Sequence, residues 1–251
     1  MRLKSEDLPI SDVVEGIEMF ESIIDEAFLA ESPDEILIRA YFSMIEILKL
    51  YTGTGRNAVA FSEFFYFRYV KKYLEEALKI SFSIRNVEKG KSKFFSAKYR
   101  GIQLILCSDI SIKKAEISKR PDIFIGIQKT KDTIYPIAIF EIKLHLEEKD
   151  IQNLKERFFN MNQEIMLKFP ELKNEGLPLF VWLYLRYGKY ENEDFDDLIA
   201  DFIKVNNYRI MVNEITKWTE KEYESEIIPK GTKINQIMQE IVKKINNSQK
   251  I

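Results

Sequence analysis

The chain has 251 residues, 45% of them hydrophobic and 31% charged, with a formal net charge of −2; this describes a globular chain able to bury a sizeable core and argues against a uniformly basic polyanion binder. Its single cysteine, Cys107, excludes an internal disulfide and any CxxC metal site, and its setting in GIQLILCSD suggests a small apolar strand residue. No apolar run reaches membrane-spanning length and the charged start MRLKSEDLPI is not a signal peptide, so a cytoplasmic protein with no membrane partner is expected.

In chain order, segments 11–30 and 33–51 read as two helices, the second with Ser32 as cap and Pro33 as its first residue. Residues 1–57 carry five Lys/Arg against twelve Asp/Glu, a net of −7. These acidic helices are read as an N-terminal extension over 1–56 that shields the rest of the chain or offers a surface for a homodimer or a protein partner, ahead of an α/β domain over 57–251. The turn TGTGR at 52–56 lacks the Lys-Ser/Thr ending of a phosphate-binding P-loop. A helix is predicted from Asn57 to about Lys79, with Phe67, Val70, Leu74 and Leu78 on one buried face. One turn back on that face stands Glu63, an inward acid, whereas Glu75 and Glu76 fall among lysines and are expected in solvent.

The pattern then changes to short segments rich in β-branched and aromatic residues, near 93–99, 102–107, 121–128 and 134–144, which read as strands. A long amphipathic helix follows over about 147–169, with Ile151, Leu154, Phe158, Met161 and Ile165 on one side and a stop near Pro170. LFVWLYLRY is a continuous apolar run expected of a strand covered on both faces, with Trp182 and Tyr184 in the core. The acidic stretch 191–201 opens another helix, NYRIMVNEI reads as a further strand, and 232–246 as a C-terminal helix. The order is helix, three-stranded meander, helix, strand, with helical additions at both ends. It predicts an α/β fold with a mixed central sheet flanked by helices, in which the strands on either side of the long helix are parallel and joined by a right-handed crossover.

The stretch IAIFEIKLH, residues 137–145, places two ionisable groups in an otherwise buried strand. Side chains alternate across a strand, so Glu141 and Lys143 share one face, with His145 beyond them. In RPDIFIGIQ, Asp122 stands at the start of the preceding strand, after a proline suited to that position. An antiparallel hairpin sets the start of one strand beside the end of the next, which brings Asp122 next to Glu141. Two carboxylates held close repel, and a divalent cation or a shared proton relieves the repulsion. Oxygen ligands without a Cys or His cluster favour Mg2+, with Mn2+ as the alternative, and the Ile142 carbonyl offers another oxygen. Glu63 completes the set Glu63, Asp122, Glu141 and Lys143.

Residues 85–120 carry ten Lys/Arg against three Asp/Glu, a net of +7. Within this zone Arg85, Lys89, Lys91, Lys93, Lys98 and Arg100 interleave with Phe94, Phe95 and Tyr99, a composition that suits tracking a phosphate backbone and stacking on bases. The alternative is a solvated hairpin whose aromatics belong to the core. For Glu141 and Lys143 the alternative is an exposed ion pair on an edge strand.

The Pro-Asp at 121–122, the Glu-Ile-Lys at 141–143, the helix carrying Glu63 and the α-β-β-β-α-β order resemble the PD-(D/E)xK, or restriction-endonuclease-like, nuclease superfamily over roughly residues 57–187. The resemblance implies Mg2+-dependent hydrolysis of phosphodiester bonds, DNA being the expected substrate with RNA as an alternative. It implies Asp122 and Glu141 as metal ligands, Lys143 at the attacking water and Glu63 as an accessory ligand. Gln152 matches a glutamine that assists the site in parts of that superfamily; the tyrosine usually found four residues later is Glu156 here. A second reading is a catalytically silent module that binds nucleic acid or a protein partner, and a third is an enzyme acting on a small phosphorylated ligand.

Overall fold

The computed structural model of the protein describes residues 21–30, 36, 58–88, 92–108, 120–131, 133–144, 148–187, 204, 207–215, 227–231 and 233–248. Most of the expected helices over 11–30 and 33–51, the TGTGR turn, His145 and the acidic segment 191–201 lie outside these residues. The chain divides into two compact units, Met1–Val70 and Lys71–Ile251. The division falls inside helix α2 (Ala58–Leu78), which follows α1 (21–29).

In the first unit α1 buries Ile24 and Ala27, and its Glu21 carboxylate accepts a hydrogen bond from the Arg68 guanidinium. The face of α2 is broader than its apolar spacing suggests, because Phe65, Tyr66 and Tyr69 are buried along with Phe67 and Val70. Glu63 is half-buried on this part of α2.

The second unit is built on one eight-stranded sheet whose strands lie side by side in chain order. They are β1 (Ser83–Glu88), β2 (Ser92–Tyr99), β3 (Ile102–Cys107), β4 (Ile123–Gln128), β5 (Ile134–Leu144), β6 (Leu179–Tyr187), β7 (Tyr208–Ile215) and β8 (Ile227–Gly231). The first five form an antiparallel meander, β5, β6 and β7 run parallel, and β8 returns antiparallel. The meander therefore has five strands, not three. The two strands without a sequence signal, β1 and β8, are the sheet edges, where SIRNVE and IIPKG can be polar or hold a proline because one side of the ladder is unpaired.

Between β5 and β6 runs α3 (Glu148–Lys168), the crossover that parallel strands require. Its Phe158 meets Phe180 of β6 and Tyr208 of β7, ring centroids 5.0 and 5.9 Å apart. The C-terminal helix α4 (Ile234–Asn247) buries Ile234, Ile237, Met238, Ile241 and Ile245 at helical spacing. Its Glu240 carboxylate accepts two hydrogen bonds from Arg209 of β7, at 2.8 and 2.7 Å. Tyr208 and Arg209 are successive residues of one strand and point to opposite faces, so α3 and α4 cover opposite faces of the sheet. This double cover explains why β3 through β6 are so apolar. Trp182 is buried as expected, and so is Cys107, whose thiol is pushed up to about 12 by desolvation.

On the second-unit part of α2, Glu75 is not in solvent as expected. It accepts hydrogen bonds from Lys71 Nζ at 2.7 Å and from the Phe82 backbone N–H at 2.8 Å, which fixes the turn from α2 into β1. Glu76 is exposed, as expected.

Candidate active site

Pro136 within β5 has no N–H for the ladder, and the β4–β5 register shifts there: Gly126 pairs with Pro136, but Ile125 pairs with Ala138. Past this irregularity Ile123 faces Phe140, and the Asp122 backbone N–H donates to the Phe140 carbonyl at 3.1 Å. Beyond Phe140, the partner of Ile123, β5 runs on to Leu144 past the start of β4. The Asp122 carboxylate continues the ladder in place of backbone, its Oδ2 accepting the Ile142 N–H at 2.6 Å. Asp122 is thereby oriented by the chain itself.

Glu141 precedes that amide and Lys143 follows it, both directed to the face that α3 covers. Lys143 Nζ lies 3.7 Å from Asp122 Oδ2 and 3.6 Å from Glu141 Oε2. Sequence reasoning missed the fourth member, Arg157 of α3. Its Nη1 donates to Glu141 Oε2 at 2.9 Å, its Nη2 donates to the Arg120 carbonyl at 2.8 Å, and Nη2 also stands 2.7 Å from Glu141 Oε1. The last contact is an ion pair without hydrogen-bond alignment: among the described residues Glu141 Oε1 and Arg157 Nε are both buried with no hydrogen-bond partner. One signal for Arg157 was available, since it lies one turn before Met161 on the buried stripe of α3. A cation on an apolar helical face asks for a partner.

The Glu141 side chain is 0% exposed, that of Asp122 15%, of Arg157 23% and of Lys143 38%. Solvent access therefore rises from Glu141 outward to the lysine. The Glu141 carboxyl is raised to about 7: burial is the main cause and the neighbouring Asp122 charge adds to it, while Arg157 and Lys143 pull it down. The alternative of an exposed pair on an edge strand does not hold, because β5 is paired on both sides and Glu141 is fully buried.

Two carboxylates and two cationic side chains balance formally, so Arg157 supplies a compensation that the sequence alone did not offer. The donor set is nonetheless suited to a hard cation. Among the described residues no three His, Cys, Asp or Glu side chains gather as a metal-holding group, but Mg2+ commonly takes only one or two carboxylates and keeps waters. Here the oxygens are those of Asp122 and Glu141, Oε1 of Glu141 being faced at 2.7 Å by Arg157 Nη2 without a hydrogen bond among the described residues. The Ile142 carbonyl points to the same neighbour as its N–H, the side on which Asp122 stands.

The other expected site residues are placed as follows. Glu63 belongs to the first unit. Gln152 and Glu156 are exposed on α3, Lys98 and Arg100 are exposed at the β2–β3 turn, and Lys89 and Lys91 lie outside the described residues. The basic tract does not sit as a whole beside the acids. Lys98 pairs with Gln103, Gln103 with Gln128 and Gln128 with Ile134, seven positions before Glu141 on β5. At ~3.3 Å per residue this puts Lys98 and Arg100 more than about 20 Å away along the strand direction alone, at the opposite end of the sheet. Lys93, at the other end of β2, is on the end where Asp122 stands. Tyr99 is buried and its hydroxyl donates to Asn246 Oδ1 at 2.6 Å, so it belongs to the core and not to a base-stacking surface. No helix among the described residues is long and apolar enough to cross a membrane. The sequence matches no protein-family model and no curated protein.

Proposed function

We propose that this chain is a divalent-cation-dependent endonuclease that hydrolyses phosphodiester bonds of DNA, with β2 to β6, α2 and α3 serving as a restriction-endonuclease-like core. One observation carries the reading: Asp122, Glu141 and Lys143 meet where β5 outruns β4, the lysine ammonium within 3.7 Å of both carboxylates. Mg2+ or Mn2+ held by Asp122, Glu141 and the Ile142 carbonyl would supply a water of lowered pKa and charge compensation at the scissile phosphate. The chain's own contribution is orientation. Asp122 is locked by the Ile142 amide, Glu141 is withheld from water, and Lys143 presents an ammonium to solvent on the same face. That ammonium can orient an attacking water and meet the negative charge that develops on phosphate. Lys93, on the end of the sheet where Asp122 stands, is assigned to the substrate backbone together with Lys89 and Lys91, which lie outside the described residues, and Gln152 to a contact from α3. Lys98 and Arg100 would touch only a substrate reaching along the sheet.

The test is cleavage of supercoiled plasmid, single-stranded DNA and RNA with Mg2+, with Mn2+ and with EDTA. Asp122→Ala and Lys143→Ala should each reduce cleavage at least about a hundredfold while the chain still folds, and Arg209→Gln should leave it unchanged. Full activity in either site variant would reject the mechanism.

A second reading, a module that binds nucleic acid or a protein without cutting, is favoured by one observation: Arg157 already occupies a Glu141 oxygen. Nucleic-acid binding that is the same with Mg2+ and with EDTA, and no cleavage of any substrate, would select it.

A further inference from the structure

Resting on the cation-dependent reading above, we propose that Arg157 is the resident counter-ion of Glu141 and that a divalent cation binds by exchange, the guanidinium leaving Glu141 as the cation arrives. Three features of the geometry point to exchange and away from a permanent brace. First, the pair is incomplete. One Arg157 nitrogen bonds Oε2 at 2.9 Å and another bonds the Arg120 carbonyl at 2.8 Å. Glu141 Oε1 and Arg157 Nε, both buried, find no hydrogen-bond partner among the described residues. A closed pair through Nε and Nη2 would satisfy both, as arginine and carboxylate geometry allows; here Nη2 stands 2.7 Å from Oε1 without hydrogen-bond alignment, so the guanidinium covers both oxygens a cation would need and holds one of them poorly.

Second, the charge count forces movement. Asp122 and Glu141 stand against Lys143 and Arg157, so a doubly charged ion added to the same set leaves an excess of two. A guanidinium stays charged throughout the accessible pH range. The charge of Arg157 can leave the site only if the side chain moves. Third, it has somewhere to go: its side chain is 23% exposed whereas that of Glu141 is 0% exposed, so the arginine can turn into solvent from α3 while the glutamate stays fixed on a central strand. The same guanidinium holds the Arg120 carbonyl, two residues before Asp122. Its departure would therefore free the chain leading into the metal-binding aspartate.

The experiment measures cation binding, not turnover. Mn2+ titrations by calorimetry of wild type, Arg157→Gln and Arg157→Lys would be accompanied by thermal unfolding with and without Mn2+. Exchange predicts that Arg157→Gln is less stable without metal, binds Mn2+ about tenfold or more tightly than wild type because a competing unit charge is gone, and gains more from Mn2+ in unfolding temperature. Arg157→Lys should fall between. In wild type, Mg2+ should shift the Arg157 side-chain NεH resonance in a nitrogen-edited NMR spectrum, a measurement that does not depend on any variant folding. Unchanged or weaker Mn2+ binding in Arg157→Gln, with an unmoved NεH signal, would overturn the exchange and leave the cation site standing. Absence of Mn2+ binding in wild type and Arg157→Gln alike would overturn both the exchange and the endonuclease reading.

Discussion

Two arginine–glutamate pairs in the second unit have the same chemistry and different surroundings. Arg209 of β7 and Glu240 of α4 are 23% and 27% exposed. Nε and Nη2 of that arginine donate to the two carboxylate oxygens, and its Nη1 donates to the Tyr208 carbonyl at 2.7 Å. Arg157 and Glu141 link α3 to β5 with the carboxylate fully buried, a second carboxylate close by through Lys143, and two polar atoms without hydrogen bonds among the described residues. The first pair does what a structural brace needs and no more: it closes its bonds at the margin of solvent. The second accepts desolvation and like-charge repulsion at a place where the sheet could have been filled with apolar side chains at lower cost. Such an arrangement marks a site candidate, and the contrast is what gives the Asp122–Glu141–Lys143 group its functional reading.

The contrast is sharpest in stability. In EDTA at about pH 8, Arg157→Gln leaves a buried carboxylate beside Asp122 and should cost about 3–5 kcal/mol. Arg209→Gln removes a partner from a half-exposed pair and should cost about 1 kcal/mol or less. Urea unfolding of the two variants gives both numbers, and equal losses would erase the distinction between brace and site.

The pH profile tests the cause. Folded Glu141 holds its proton up to about 7, against an ordinary value of 4.5, so between these values the folded chain binds more protons than the unfolded one. Stability contributed by this group is then complete below about pH 4.5, declines as pH rises to about 7 and levels off above it, a loss on the order of 3 kcal/mol. The groups facing it are Asp122, Arg157 and Lys143. Glu141→Gln should lack this decline, so the stability difference between wild type and variant in EDTA should shift in the variant's favour from pH 4.5 to 8. Parallel profiles would mean that the two cations offset burial fully, and desolvation would no longer separate this pair from the other.

How far the sequence could be read follows from where each signal resides. The long elements were legible because their periodicities are local: α2, α3, β3 and β5 fall within a residue or two of their expected bounds, and the parallel β5–β6 pairing followed from the helix between them. The meeting of Asp122 with Glu141 was legible because a hairpin is a local rule. For Arg157 the spacing marked only a cation on the buried stripe of α3; its contact with Glu141 depends on how α3 lies across β5, which no spacing encodes. The placement of Lys98 and Arg100 failed for a related reason: a charge total over 85–120 ignores that two antiparallel turns on one strand send their residues to opposite ends of a sheet. The edge strands β1 and β8 carried no apolar alternation, so nothing in SIRNVE or IIPKG announced them.

Salt provides the finest test of the same comparison. Attraction between half-exposed charges is screened as ionic strength rises, while a pair shielded from solvent keeps its interaction. A double-mutant cycle on Arg209 and Glu240 should give a coupling of about 0.5 kcal/mol at about 0.05 M salt and roughly half of that at about 1 M. The corresponding cycle on Arg157 and Glu141 should give a coupling that salt hardly changes, because one partner is out of water altogether. If both couplings fall together, water reaches Glu141 in solution. The incomplete pairing of Oε1 would then be satisfied by solvent, and the strongest physical reason for placing a cation there would be gone.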